Sequence, residues 1–329
     1  MPVLKLNNID INVPVLIAGW PGMGHVGLGA ASYMRRKLGG ALIARIDTSP
    51  YYQPDSIEVT NGLGRVPSPP RQSLYYVPEP PAFIFVGDSQ LDGDAGLRLA
   101  GELLDYAESH GVTSIYTGAA YAQPMSFRQP TEVYGVATDE TLLARLGVLG
   151  VEPLKEGRIT GLNGLLLGLA RSRSIPAACL LATMPQYAVE TANPRASKAV
   201  VQVFERILNT SVDMAEMNES VRETDRLLEE FETRVSDAIR NLKQGIDQRF
   251  DEARNAGDNT QDAEDERPEP HELMERVEHL FDEAQRDRTK ALLLKQELDR
   301  WGLFGLYEDR FLDLFDNRLD GKLPGFQQP

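Results

Sequence analysis

Residues 13–34 read Val13-Pro14-Val15-Leu16-Ile17-Ala18-Gly19-Trp20-Pro21-Gly22-Met23-Gly24-His25-Val26-Gly27-Leu28-Gly29-Ala30-Ala31-Ser32-Tyr33-Met34. An apolar run, a glycine turn and a small-residue stretch follow one another, the order of a strand, a tight turn and a helix. Glycines in such a turn admit positive φ and let backbone N–H groups face one spot. Two functions fit that order. Gly22-x-Gly24-x-x-Gly27 matches the dinucleotide fingerprint, and Asp47 ends the next strand where a ribose-binding acid sits. The other reading is structural, with Gly24 and Gly27 letting the helix press against the sheet. Pro21 stiffens the turn just before Gly22, and the β-rich chain after Asp47 replaces the helix and third strand of a nucleotide-binding half, so the structural reading leads. Gly19, Pro21, Gly22, Gly24, Gly27 and Asp47 stand as ligand or structural-turn candidates.

Working outward, short apolar segments at 13–18, 41–46, 56–59, 74–77, 82–86, 114–117, 133–137 and 177–182 read as strands. Helical patterns lie at 24–38, 94–109, 140–146, 162–171 and 195–208. Alternation of the two predicts a mostly parallel sheet covered on both faces. Residues 47–80 interrupt it, with Pro50, Pro54, Pro67, Pro69, Pro70, Pro78 and Pro80 marking a β-rich insertion or meander.

The 329 residues are long for one domain and predict a core plus an extension. The net charge of −15 is uneven: residues 1–209 carry 17 basic and 18 acidic groups, leaving 17 of the 34 basic and 31 of the 49 acidic groups to the rest. A basic face for phosphates is missing, which argues against nucleic acid and anionic membrane as partners. The single cysteine, Cys179, in an apolar run, reads as a small buried hydrophobe and rules out an internal disulfide. A reducing, cytoplasmic setting fits. The N-terminus lacks a signal-peptide pattern, and no apolar run approaches the ~20 residues of a membrane span.

The stretches GWPGMGHVG (19–27), TGAAYA (117–122), VYGVAT (133–138), ITGLNGLLLG (159–168), ATMPQY (182–187) and NPRAS (193–197) resemble, in order, the proteasome assembly chaperone family over roughly residues 10–210. The resemblance implies a three-layer α/β/α sandwich similar to nucleoside phosphorylases, assembled as a homo-oligomer, with a trimer as the leading guess. Archaeal and eukaryotic members of the family are linked to building the 20S proteasome; this chain looks like the longer bacterial form. The family's docking signal is a C-terminal hydrophobic residue, a tyrosine and any residue. This chain ends Gly325-Phe326-Gln327-Gln328-Pro329, so the missing tyrosine argues against direct proteasome docking through the tail.

A phosphorylase-like fold invites a search for a site. Arg128 lies in a loop after a strand, where α/β sheets place ligands, and Asp88 and Asp92 follow another strand in the same way. The two acids also suit turn and cap chemistry. Gln186, Tyr187 and Asn193 converge near a strand end and either line a small-molecule cleft or set a rigid turn. Thr160, Gly161, Asn163, Gly164 and Gly168 frame an apolar helix built for close packing. The four histidines, His25, His110, His271 and His279, give no metal-ligand spacing, no serine sits in a nucleophile elbow, and no P-loop lysine follows the glycines. No catalytic residue, metal site or cofactor is expected.

The second part is helical. Met214, Val221, Leu228, Val235 and Leu242 recur every seven residues, with Met217, Thr224, Phe231 and Ala238 three later, an a/d seam. The predicted organisation is an α/β/α core at 1–209, a long amphipathic or coiled-coil helix at 210–254, an acidic flexible linker at 255–270 and a helical C-terminal region at 271–329. The function this implies is a non-enzymatic, assembly-chaperone-like or interaction scaffold, oligomerising through its core and meeting an unknown protein client with its helical arm. The alternative is a nucleotide- or nucleoside-binding enzyme or sensor using the Gly22–Gly27 turn.

Overall fold

The computed structural model describes residues 3–5, 12–54, 56–255 and 270–315. Its strands are β1 (Val3–Lys5), β2 (Val15–Gly19), β3 (Ala41–Ile46), β4 (Glu58–Thr60), β5 (Leu63–Arg65), β6 (Gln72–Pro78), β7 (Pro81–Gly87), β8 (Ser114–Gln123), β9 (Val133–Ala137), β10 (Glu152–Pro153) and β11 (Ala177–Pro185). Its helices are α1 (Val26–Lys37), α2 (Gly93–Ser109), α3 (Glu140–Val148), α4 (Leu162–Ser172), α5 (Pro194–Leu208), α6 (Ala215–Asn255), α7 (Pro270–Arg286), α8 (Ala291–Arg300) and α9 (Phe304–Asp313).

Nine strands form one sheet in the order β1-β3-β6-β7-β2-β8-β11-β9-β10, while β4 and β5 form a separate ribbon. The expected mostly parallel sheet is corrected to a mixed one. The β7–β2, β2–β8, β8–β11 and β9–β10 pairs are parallel. The β1–β3, β3–β6, β6–β7 and β11–β9 pairs are antiparallel. Parallel neighbours need a crossover, and the chain between β3 and β7 has no α-helix to supply one. The strand expected at 56–59 is the first arm of the β4–β5 hairpin. Its Asn61-Gly62 turn holds φ of 51° and 79°, the two positive angles that a two-residue hairpin favours.

Helices cover both faces, as the sandwich requires. On one, α1 and α5 pack together against β2, β8 and β11; on the other lie α2 and α4. Strand β11 is buried along its full length, the signature of a strand covered twice. The α2/α4 face buries Leu16, Trp20, Phe83 and Phe85 with Leu99, Leu103, Leu162 and Leu166. Trp20 packs against Phe85 with ring centroids 5.0 Å apart and planes tilted by 47°, and donates its indole N–H to Gln72 Oε1 at 3.0 Å. Gly87 makes room for it, since a Cβ there would lie 2.4 Å from the indole Cδ1.

Cys179 is fully buried, and burial pushes its thiol up to about 11. The native protein should therefore stay unlabelled by a thiol reagent at about pH 8 while the urea-unfolded chain takes up one equivalent, as counted by mass spectrometry. Rapid native labelling would contradict the buried placement.

The chain divides into two compact units. One holds the residues up to 123 together with 127–225, the other 124–126 with 226–329. The expected break at 209 falls earlier than the observed one because the first turns of α6 are tied to the α/β unit. Tyr33 donates its hydroxyl to the Asp213 carbonyl at 2.7 Å, Lys37 reaches Glu216 at 2.7 Å, and Arg195 pairs with Asp225. In the second unit Leu228, Val235, Leu273, Val277, Phe281, Leu294, Leu298 and Tyr307 are buried. Arg310 grips the buried Glu278 with two bonds of 2.5 and 2.7 Å and lies over the Phe281 ring. Helix α6 continues through Asn255 and α7 starts at Pro270, so both end residues of the expected 255–270 linker are helical. Its residues 256–269 lie outside the described residues, as does the tail motif at 325–329.

Candidate functional site

At the carboxyl end of β2 the chain leaves the sheet through Trp20, Pro21 and Gly22 and enters α1 by a single 3-10 turn at Met23–His25. Gly24 and His25 take left-handed angles, φ 59° and 49°. A Cβ on Gly24 would sit 2.6 Å from Met184 Sδ and 3.2 Å from Asn193 Cβ, so this position demands glycine for both angle and space. One turn later Gly27 rests on Gly118 of β8, and a Cβ there would meet the Gly118 carbonyl oxygen at 2.0 Å. Gly19 is equally tight, with the Gly27 oxygen 2.5 Å from where its Cβ would be. The glycines thus bring α1 against the sheet.

Several of the turn's polar groups are used inside the chain. Gly24 donates its N–H to the Val189 carbonyl at 2.7 Å, His25 to Gly22 at 2.8 Å, and Asn193 donates to the Gly24 carbonyl at 2.8 Å. Asn163, buried on α4, behaves as a strand neighbour to Trp20: its Oδ1 accepts from the Trp20 N–H at 3.1 Å and its Nδ2 donates to the Trp20 carbonyl at 3.2 Å. Gln90 donates to the Pro21 carbonyl and accepts from the Leu162 N–H at 2.7 Å, joining the turn to the start of α4. Gln72, which holds the Trp20 indole, passes its own amide to the Ser89 carbonyl at 2.9 Å.

Beside this knot lies a cavity of about 200 Å³, lined by Gly22, Gln90, Tyr121, Arg158, Thr160 and Asn163 among others. Arg158 is the charged residue of that lining. Its polar side chains are two carboxamides turned toward backbone partners, one tyrosine, one threonine and one exposed arginine, which give the cavity a single positive charge.

Of the residues singled out in sequence, Gly22 and Gly27 line the cavity, together with Thr160 and Asn163. Gly24 and Asn193 meet each other behind it. Asn193 also caps α5, accepting from the Ala196 N–H at 2.9 Å. Asp47 is elsewhere: β6 and β7 stand between its strand, β3, and β2, and its carboxylate accepts from the Ser49 N–H at 3.0 Å. A bond from the Ser49 side chain, with that backbone bond, stabilises the carboxylate and holds its pKa below the usual carboxylate range. Arg128 is exposed beside Phe127, 4.5 Å from its ring, and Gln186 and Tyr187 form the 3-10 turn after β11; none of the three lines the cavity. Asp88 is bonded by Arg71 at 3.0 Å. Gln90 and Arg158 escaped the sequence reading. Gln90 lies in the post-strand loop already marked by Asp88 and Asp92, the one signal that pointed to it. The seam residues Met217, Leu228 and Val235 are buried and Met214, Val221 and Phe231 half-buried, while the side chain of Leu242 lies outside the described residues. Among the described residues no group of three or more His, Cys, Asp or Glu is placed to hold a metal ion, and no helix is long and apolar enough to cross a membrane.

A nine-stranded α/β/α sandwich with a glycine bend locked to α4 and α5 defines a class of protein held in register by its own turn. The particular family follows from comparison. The chain belongs to the PAC2 family, whose model matches residues 16–232, as the resemblance in sequence implied. Among solved structures, PbaB of Pyrococcus furiosus, an archaeal proteasome activator, is similar with a TM-score of 0.61 and 26% identity, covering 70% of this chain and 98% of its own. PbaA of the same organism, an archaeal homolog of proteasome-assembly chaperone, gives 0.56 and 25% over 69% of this chain and 95% of its own. The protein MJ1210 of Methanocaldococcus jannaschii is 26% identical over 231 residues, 69% of this chain and 86% of that protein. Helices α7, α8 and α9 fall beyond the span matched by the family model.

Proposed function

We propose that this chain is a non-enzymatic, assembly-chaperone-like protein of the cytoplasm. It associates with itself through the α/β unit, a trimer being the leading stoichiometry, and presents its helical C-terminal region to a protein partner. Family membership and the likeness to PbaA and PbaB support a role among protein partners. The observation that carries the reading is the inward use of the glycine bend: Gly24, Asn163 and Gln90 spend their polar groups on Val189, Trp20, Pro21 and Leu162. A phosphate-gripping turn needs those N–H groups facing a ligand.

The cavity beside the bend favours the second reading, a nucleotide or nucleoside held near Arg158. One experiment separates the two. Full-length protein is screened by thermal shift against nucleotides, nucleosides and phosphate, and its mass is measured by light scattering. The scaffold reading expects no ligand-dependent shift and a mass that is a multiple of 36.5 kDa. A saturable shift abolished by Arg158→Ala would favour the ligand reading. Arg158 is the right probe because it is exposed, whereas a substitution at Gly24 would collide with Met184 and confuse binding with folding. Cross-linking from the native host, compared with a Leu292→Asp/Leu293→Asp variant of the exposed face of α8, tests the arm. Loss of a cross-linked client in that variant is the expected result.

A further inference from the structure

The β4–β5 ribbon carries apolar side chains where a solvent-facing ribbon ordinarily carries polar ones. Its register pairs Glu58 with Arg65, Val59 with Gly64 and Thr60 with Leu63. Residues opposite one another share a face. One face therefore holds Val59 and Gly64 and, continuing the alternation, Ile57 and Val66. A Cβ on Gly64 would come within 2.9 Å of Ile57 Cδ1, so Ile57 leans across the glycine and keeps that face continuous. Ile57, Val59 and Val66 are 62–65% exposed; Leu63, 76% exposed, pairs with Thr60 and lies on the other face. On the opposite face Arg65 bonds Glu58 at 2.7 Å. Among the described residues, β4 and β5 pair with each other and with no other strand.

A two-stranded ribbon alone is marginal in water, and an exposed apolar ribbon invites association. We propose that this face is a self-association surface, covered by the ribbon of a second copy of the chain. The inference rests on the self-association proposed above and locates one contact of it; being two-fold, that contact pairs copies and predicts an even number of them in place of the trimer. Charge selects the occupant. A like-on-like contact brings each residue near its own copy, which a charged patch forbids. This face is apolar, and the ribbon's one acid and one base between Ile57 and Val66 neutralise each other. The chain's excess of acid lies after residue 209, so two copies meet with least repulsion through the near-neutral first part. Three aliphatic side chains on this face, Ile57, Val59 and Val66, exposing roughly 100 Å² each, give about 300 Å² as the apolar centre of a contact in which one partner of standard size buries ~800 Å². The flanking surface of the α/β unit would supply the remainder.

The test compares full-length wild type, Ile57→Asp/Val59→Asp and Thr60→Asp, the last on the opposite face, by light scattering across a dilution series. Wild type and Thr60→Asp should keep the same multiple of 36.5 kDa. The double variant should associate at least about a hundredfold more weakly and fall to monomer mass, with an unchanged far-UV spectrum. Val59→Cys adds a second check. Because Cys179 is buried, an oxidised dimer on a non-reducing gel reports ribbon meeting ribbon. A wild type that is monomeric overturns both the homo-oligomer and this surface. An oligomer whose mass survives the double substitution overturns this surface alone and leaves the face to a different protein.

Discussion

Replacing Gly27 with valine is expected to prevent stable folding. The new Cβ would sit 2.0 Å from the Gly118 carbonyl oxygen and 2.8 Å from its carbon. The obstacle is backbone, and it belongs to β8, which is hydrogen-bonded to β2 on one side and β11 on the other. Neither atom can yield as a flexible side-chain tip would. Relief requires α1 to lift away, which uncovers Val26, Ala30, Ala31 and Met34, all fully buried. Overpacking an ordinary core costs 1–3 kcal/mol; separating a helix from its sheet raises this above about 4 kcal/mol, a large part of a typical 5–15 kcal/mol stability. Gly168→Ala is the internal contrast. It lies inside α4 with nothing within 4 Å of an added Cβ, and should stabilise by roughly 0.5–1 kcal/mol. Urea melts followed by circular dichroism measure both. A Gly27→Val protein that unfolds at the wild-type midpoint would mean that α1 does not need its close approach.

The bend was legible because its residues declare themselves locally: an apolar run, three spaced glycines and a small-residue helix admit one order of elements. The same local grammar found β2, β3, β7, β9 and the first five helices. What it missed depends on partners distant in sequence. Asn163 and Gln90 are polar residues in or near turns, and nothing beside them says that their amides will pair with Trp20 and Pro21, more than sixty positions away. Direction within the sheet was misjudged for a related reason. The lack of a helix between residues 47 and 80 was visible, yet its consequence, antiparallel β3, β6 and β7, needs the pairing order. Asp47 shows the cost of spacing read alone. It stands at the right distance along the chain from Gly27, but two strands lie between its own strand and β2. The first turns of α6 read as the start of a separate arm because a seam has period and no address; Tyr33, Lys37 and Arg195 supply the address.

Asn163→Leu should be the most damaging near-isosteric change at the bend. The carboxamide is buried and makes both of its bonds to one residue, accepting from the Trp20 N–H and donating to the Trp20 carbonyl. Leucine fills similar space and removes both partners at once. Each buried backbone group left without a bond costs about 1–3 kcal/mol, so the expected loss is about 3–4 kcal/mol. That corresponds to a fall in Tm of about 10 °C for a unit of this size. Gln90→Leu should cost less. Gln90 is only half-buried, and water can replace its bonds to Pro21 and Leu162. Differential scanning calorimetry of the two variants gives the order directly. The contrast also bears on function. If the amides of Asn163 and Gln90 serve the bend's own backbone, both losses appear as stability in the free protein, with the deeper residue dominating. A Gln90→Leu protein that melts like wild type, beside an Asn163→Leu protein no less stable, would mean that these amides are not spent on holding the turn and are free for a ligand in the adjoining cavity.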